Sequence, residues 1–207
     1  MKKLQSKMRC VLLAALTFLA AHSYVAAQVV DLDTVDFTTS DTWVIPNNVF
    51  SATLEAWGGG GAGGYAVHTN NWQRGYLRST AGGGGGAYAR SILDVTPGET
   101  MTIEVGQGGY NSGNNTQTPT VVSGGSSYVR YADAVQVLAA GGKTPAGVRN
   151  VTGANGGAVA DCIYNDVAYP GGKGGNAYEG TAGAYSASGG GGGAAGLSAS
   201  GGNGGNG

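Results

Sequence analysis

The chain has 207 residues, 42 of them glycine, against 11 basic and 12 acidic residues. All the glycine lies in residues 58–207, about 28% of that stretch, a composition typical of fibrous or low-complexity structure and unlike an ordinary mixed α/β domain. Without residues 1–27 the charge is seven basic against twelve acidic, a net of −5, which argues against nucleic acid as a partner.

Residues 1–27 read as a secretory signal peptide. Lys2, Lys3, Lys7 and Arg9 form a basic start, residues 10–21 an apolar run, and Val25-Ala26-Ala27 a small-residue cleavage site before Gln28. The run is too short to span a bilayer, so the expectation is export with no transmembrane segment. Cys162 is then the single thiol of the mature chain, which rules out an internal disulfide. A lone exported cysteine can pair between chains; the alternative is a small buried hydrophobe.

Residues 28–41 are acidic and Thr/Val-rich, too short in ligands for a calcium loop. Residues 43–46 read as a short strand ended by Pro46, with a Pro-Asn-Asn turn after it. In 50–57, Phe50, Ala52, Leu54 and Ala56 alternate with Ser51, Thr53, Glu55 and Trp57, the period of a half-buried strand. That strand enters the tract 58–64. A second tract, 82–86, leads into the strand 87–94. After the turn Thr96-Pro97-Gly98-Glu99, Met101, Ile103 and Val105 alternate with Thr100, Thr102 and Glu104 as the second arm of a hairpin. Strands at 126–131 and 134–140 follow and end at Gly141-Gly142. Ala52, Leu54, Ala56, Met101, Ile103 and Val105 are expected to share one core. No stretch has the pattern of a long amphipathic helix.

From Gly171 to Gly207 the repeat is three residues. The register starting at Gly171 holds nine glycines in thirteen positions, the rest Ala or Ser, while the register starting at Lys173 carries most of the bulk. A period of 3 fits neither an α-helix nor a strand but fits an extended helix of three residues per turn. The pattern therefore predicts glycine helices packed side by side, their missing Cβ atoms letting backbones hydrogen-bond; the alternative is a flexible tail. The expected fold class is all-β: a small antiparallel sandwich-like sheet combined with packed polyglycine-II helices. The domain reading is a signal peptide at 1–27, a glycine-rich β domain at 28–142 and a polyglycine-II segment at 143–207, separate from that domain or continuous with it.

Taken in order, Thr42-Trp43-Val44-Ile45-Pro46, Leu54-Glu55-Ala56-Trp57-Gly58-Gly59-Gly60-Gly61, Gly85-Gly86-Ala87-Tyr88-Ala89, Val95-Thr96-Pro97-Gly98-Glu99, Ile103-Glu104-Val105-Gly106 and Leu138-Ala139-Ala140-Gly141-Gly142 resemble the glycine-rich domain of bacterial secreted and surface proteins and phage tail-fibre adhesins. The resemblance covers roughly residues 40–142. It implies β-structure with stacked polyglycine-II helices, receptor binding by loops at a tip, and no catalytic residues. The signal peptide departs from the phage members and favours a bacterial exported protein.

Two glycine motifs imitate nucleotide sites. Ala140-Gly141-Gly142-Lys143-Thr144 lacks the upstream glycine of a P-loop, since position 137 is Val, and Pro145 forbids the helix. Gly106-Gln107-Gly108 has Asn111 where a third glycine is needed. His68 is the one mature histidine, on a glycine-flanked excursion poorly suited to hold a triad; Glu99 and Glu104 read as solvated. No enzyme activity and no cofactor or metal is expected.

The excursion 65–80 concentrates Tyr65, His68, Asn70, Asn71, Trp72, Gln73, Arg74, Tyr76 and Arg78, the aromatic, amide and guanidinium groups of binding hot spots and loop paratopes. Tyr65, His68, Asn71, Trp72, Arg74, Tyr76 and Arg78 are the candidate ligand-binding residues, with Trp72 stacking on a sugar or packing into a protein. The competing reading folds Trp72 back on the sheet. Residues 110–122, 143–152 and 158–170 are further excursions, with Tyr164 and Tyr169 the next candidates. The expected function is a secreted or surface-displayed, non-enzymatic adhesin-like module for a surface glycan or protein receptor. The alternatives are a structural protein of extracellular filaments or matrix, self-assembling through glycine surfaces, and a flat ice- or surface-binding face.

Overall fold

The computed structural model describes residues 34–64, 80–111, 121–146, 151–178 and 187–207. Phe37–Gly207 is one compact unit. Of the other unit, Met1–Asp36, only residues 34–36 are described, and they carry no regular element.

The elements are β1 (Asp41–Val44), β2 (Ser51–Trp57), β3 (Tyr88–Asp94), β4 (Thr100–Glu104), β5 (Ser127–Tyr131), β6 (Ala134–Ala139), a 3-10 turn at Val159–Asp161 and β7 (Val167–Tyr169). They build two antiparallel sheets, one in the order β1-β4-β5-β6 and one in the order β2-β3-β7. The protein is all-β, with that single 3-10 turn its one helical element among the described residues.

Alternation decides which side chains enter the core. Ala56 and Ala89 come from one sheet and Met101, Ile103, Val129, Tyr131, Val137 and Ala139 from the other, and all are buried in one cluster with Ala52, Leu54 and Val105 packed against it. The six core positions expected from the period-2 pattern thus meet in one core. β5 and β6 form a tight hairpin whose two turn residues, Ala132 and Asp133, both have positive φ, 49° and 61°, the twist that a two-residue connection demands.

One pairing differs from expectation. β3 and β4 are consecutive but lie in different sheets, so 87–94 and 101–105 are not the arms of a hairpin. The turn between them bonds outward: Val95 N donates to Phe50 O (2.9 Å), Gly98 N to Ile45 O (2.9 Å) and Thr96 N to the Tyr131 hydroxyl (2.9 Å). Gly98, at φ +83°, swings the chain from one sheet to the other. Both strands alternate, but each pairs within its own sheet, β3 with β2 and β7 and β4 with β1 and β5.

Candidate functional site

Where strands end, glycine tracts begin. Trp57 precedes Gly58, Ala87 precedes Tyr88, and Tyr169 precedes Pro170-Gly171. At this junction Trp57, Tyr88 and Tyr169 form a row across β2, β3 and β7, with centroids 5.1 Å and 6.2 Å apart. Tyr88 is fully buried, and its hydroxyl donates to Glu55 Oε1 (2.6 Å). Burial first, then that bond, pushes the Tyr88 phenol up to about 12. Beside it, Arg90 Nε donates to Asp166 Oδ2 (2.6 Å), the contact that raises the guanidinium pKa.

Beyond the junction the tracts hydrogen-bond at three-residue intervals. Tract 81–87 is buried throughout. Gly82 and Gly85 donate to Gly175 and Gly172 (3.0 and 2.9 Å), and Gly84 and Ala87 to Lys143 and Ala140 (both 2.9 Å). In turn the carbonyls of Gly82 and Gly85 accept from Ala154 and Gly157, those of Gly83 and Gly86 from Gly192 and Ala195, and those of Gly84 and Ala87 from Gly61 and Gly58. Tract 189–196 continues outward, with Gly190 and Gly193 donating to Gly205 and Gly202.

Steric contact explains the bulk-free register. A Cβ at Gly171, Gly174, Gly189, Gly192, Gly201, Gly204 or Gly207 would stand 2.0–2.5 Å from a neighbouring carbonyl oxygen, closer than any side chain permits. The bulky register has its own task, which the sequence reading missed. Asn203 Oδ1 accepts from Lys173 N (2.9 Å), Asn206 Oδ1 from Asn176 N (2.8 Å), and Asn176 Oδ1 from Gly153 N (2.9 Å). Their signal was visible as asparagine recurring at three-residue spacing.

The residues that flank four connections are bonded to one another or to neighbouring tracts. Gly64 N donates to Ala81 O (2.8 Å), Gly189 N to Thr80 O (3.1 Å) and Ala177 N to Val151 O (2.8 Å). Asn111 bridges Val121, Tyr178 bridges Ala187, and the Thr144 hydroxyl donates to Val122 O (3.1 Å). The residues flanking 65–79, 112–120, 147–150 and 179–186 therefore gather at the end of the tracts opposite the sheets. Tyr65, His68, Asn71, Trp72, Arg74, Tyr76 and Arg78 lie outside the described residues; their anchors, Gly64 and Thr80, are at this end. Excursion 158–170 differs, because it returns to the sheets and supplies β7. Tyr169 belongs to the junction row, and Tyr164 is exposed.

Residues 34–207 match the glycine-rich domain family. The chain belongs to that family. No curated protein matches it.

Elsewhere the described surface of this glycine-rich domain offers little chemistry. A shallow polar depression of about 340 Å³ at the far end of the sheets is lined by Glu99, Thr100, Thr102, Arg130 and Asp133; Glu99 there accepts the Tyr131 hydroxyl and is not simply solvated. Cys162 is half-buried against the core, its Sγ accepting from Ala140 N and donating to Ala158 O (both 3.4 Å), and burial pushes the thiol pKa up. Among the described residues no group of three His, Cys, Asp or Glu could hold a metal ion, and no helix is long and apolar enough to cross a membrane.

Proposed function

We propose that this protein is a secreted or surface-displayed, non-enzymatic adhesin-like module, exported after loss of residues 1–27. In this reading its glycine tracts are polyglycine-II helices standing on a small β-sandwich, and they hold variable excursions toward a glycan or protein receptor. The three-residue spacing of the inter-tract hydrogen bonds supports the helix reading, because a chain with three residues per turn presents every third N–H to the same neighbour.

The observation that carries the function is the gathering of the residues that flank four connections at one end of the tracts, away from the sheets. Tracts without side chains cannot discriminate partners, and strands commit theirs to the core. Specificity then sits in connections held by a rigid frame. Trp72 is the stacking or packing anchor and Arg74 the polar clamp.

Trp72→Ala tests this. Binding to cells or a glycan array should weaken by about 2 kcal/mol or more, the hot-spot range, with the melting temperature nearly unchanged. Lost stability with retained binding would make Trp72 a core residue and sink the proposal.

A further inference from the structure

We infer that the flank between tracts 58–64 and 189–196 is a docking slot for the outer glycine tract, 201–207, of a second copy of this chain. The inference rests on reading the tracts as polyglycine-II helices.

The hydrogen bonds around tract 81–87 alternate in sense. Going round it, the tract donates to 140–143, accepts from 153–157, donates to 170–177, accepts from 189–196, and finally accepts from 58–64. Strict alternation requires a donating side between the last two. The donors for it are present: the N–H groups of Gly83 and Gly86 are three residues apart, buried, and without a bonding partner among the described residues. Flanking them, the carbonyls of Gly58, Gly61, Gly189 and Gly192 accept no bond among the described residues either. Buried backbone groups such as those of Gly58, Gly83 and Gly86 are rarely left in that state.

Sterics mark the same place independently. In the flanking tracts the glycines that face other tracts are obligatory: a Cβ at Gly58, Gly61, Gly189 or Gly192 would come within 2.0–2.2 Å of a carbonyl oxygen. Gly60, Gly63 and Gly191 are not, since their nearest atoms are 3.8, 3.8 and 4.0 Å away and belong to the central tract, as Gly84, Ala81 and Gly83 oxygens. These three are exposed and turn toward the slot. Nothing among the described residues needs glycine there, whereas a close-packed backbone in the slot would.

The occupant must offer carbonyls and N–H groups every three residues and no side chain on the contact side. Tract 201–207 does. It bonds two tracts only, 170–177 and 189–196, and the N–H groups of Gly202 and Gly205 and the carbonyls of Gly201 and Gly204 have no bond among the described residues. A Cβ at Gly202 or Gly205 would meet nothing within 4 Å. The tract is a protruding corner, and the slot is a concave flank of the same lattice. Because slot and corner are different surfaces, the contact is heterologous and generates rings or filaments in place of a two-fold dimer.

Sedimentation of the full chain over a concentration series should show stepwise growth. Gly191→Leu, filling the slot, and Gly205→Leu, filling the corner, should each weaken association on the order of tenfold or more, while Gly108→Leu, in open space elsewhere, should not. Mixing the two blocked variants should yield a one-to-one dimer and nothing larger, since one intact slot and one intact corner remain. Amide exchange at Gly83 and Gly86 should slow with concentration. A wild type that stays monomeric, or blocked variants that assemble as it does, would overturn the slot; Gly60→Leu stands in if Gly191→Leu fails to fold. Fast exchange at Gly82, Gly84 and Gly85 in the monomer would instead refute the polyglycine-II reading itself.

Discussion

Adjacent glycines in one tract should respond oppositely to the same substitution. A Cβ at Gly204 would lie 2.2 Å from Gly190 O, whereas one at Gly205 would find nothing within 4 Å. Relieving the first contact requires the outer tract to move by about 1 Å or more, given ordinary carbon–oxygen separations. That displacement stretches Gly204 N→Lys173 O (2.8 Å) and Gly190 N→Gly205 O (2.9 Å) out of bonding range. Two backbone bonds at roughly 0.5–1.5 kcal/mol each, with an overpacking cost of about 1–3 kcal/mol, set the loss for Gly204→Ala at about 2–6 kcal/mol. Gly205→Ala has no clash and no left-handed φ, so it should stabilise by about 0.4–1 kcal/mol through the unfolded chain. Urea unfolding of both variants at low protein concentration measures the difference. If the two fall within about 0.5 kcal/mol of each other, the obligatory-glycine register is wrong.

Ile103→Ala, at a core position only 8% exposed, should cost roughly 2–5 kcal/mol in the same assay; a cost near zero would mean that β4 does not face the core. Tyr131→Phe removes the hydroxyl that accepts from Thr96 N (2.9 Å) and donates to Glu99, and should cost about 1–3 kcal/mol, with no loss counting against the crossover account. The Tyr88 phenol is raised from 10.0 unfolded to about 12 folded. The unfolded chain therefore ionises first, so this contribution is full below pH 10 and declines as pH rises through about 12. Alkaline unfolding should be less steep in Tyr88→Phe than in the wild type, and equal slopes would show that Tyr88 is not the group responsible.

Much of this protein was decided locally and so was legible in the residues. Period-2 alternation in 50–57 and 100–105 named the core, because a strand's two faces differ only by which residues they carry. The three-residue register starting at Gly171 named Gly171, Gly174, Gly189, Gly192, Gly201, Gly204 and Gly207, which leave no room for a Cβ, because the only groups small enough for backbone contact are visible as composition; Gly172 and Gly175, in the next register, are equally crowded. Pairing was not local. Whether 87–94 and 101–105 join as a hairpin depends on partners 35 or more residues away, and the bonds from Val95, Thr96 and Gly98 to Phe50, Tyr131 and Ile45 sent them to different sheets. Nor could sequence show that Asn176, Asn203 and Asn206 serve a neighbouring tract, or that the Gly83 and Gly86 N–H groups have no bonding partner among the described residues. Those facts exist only once tracts distant in the chain lie in contact, where the direction of each N–H and carbonyl selects its neighbour.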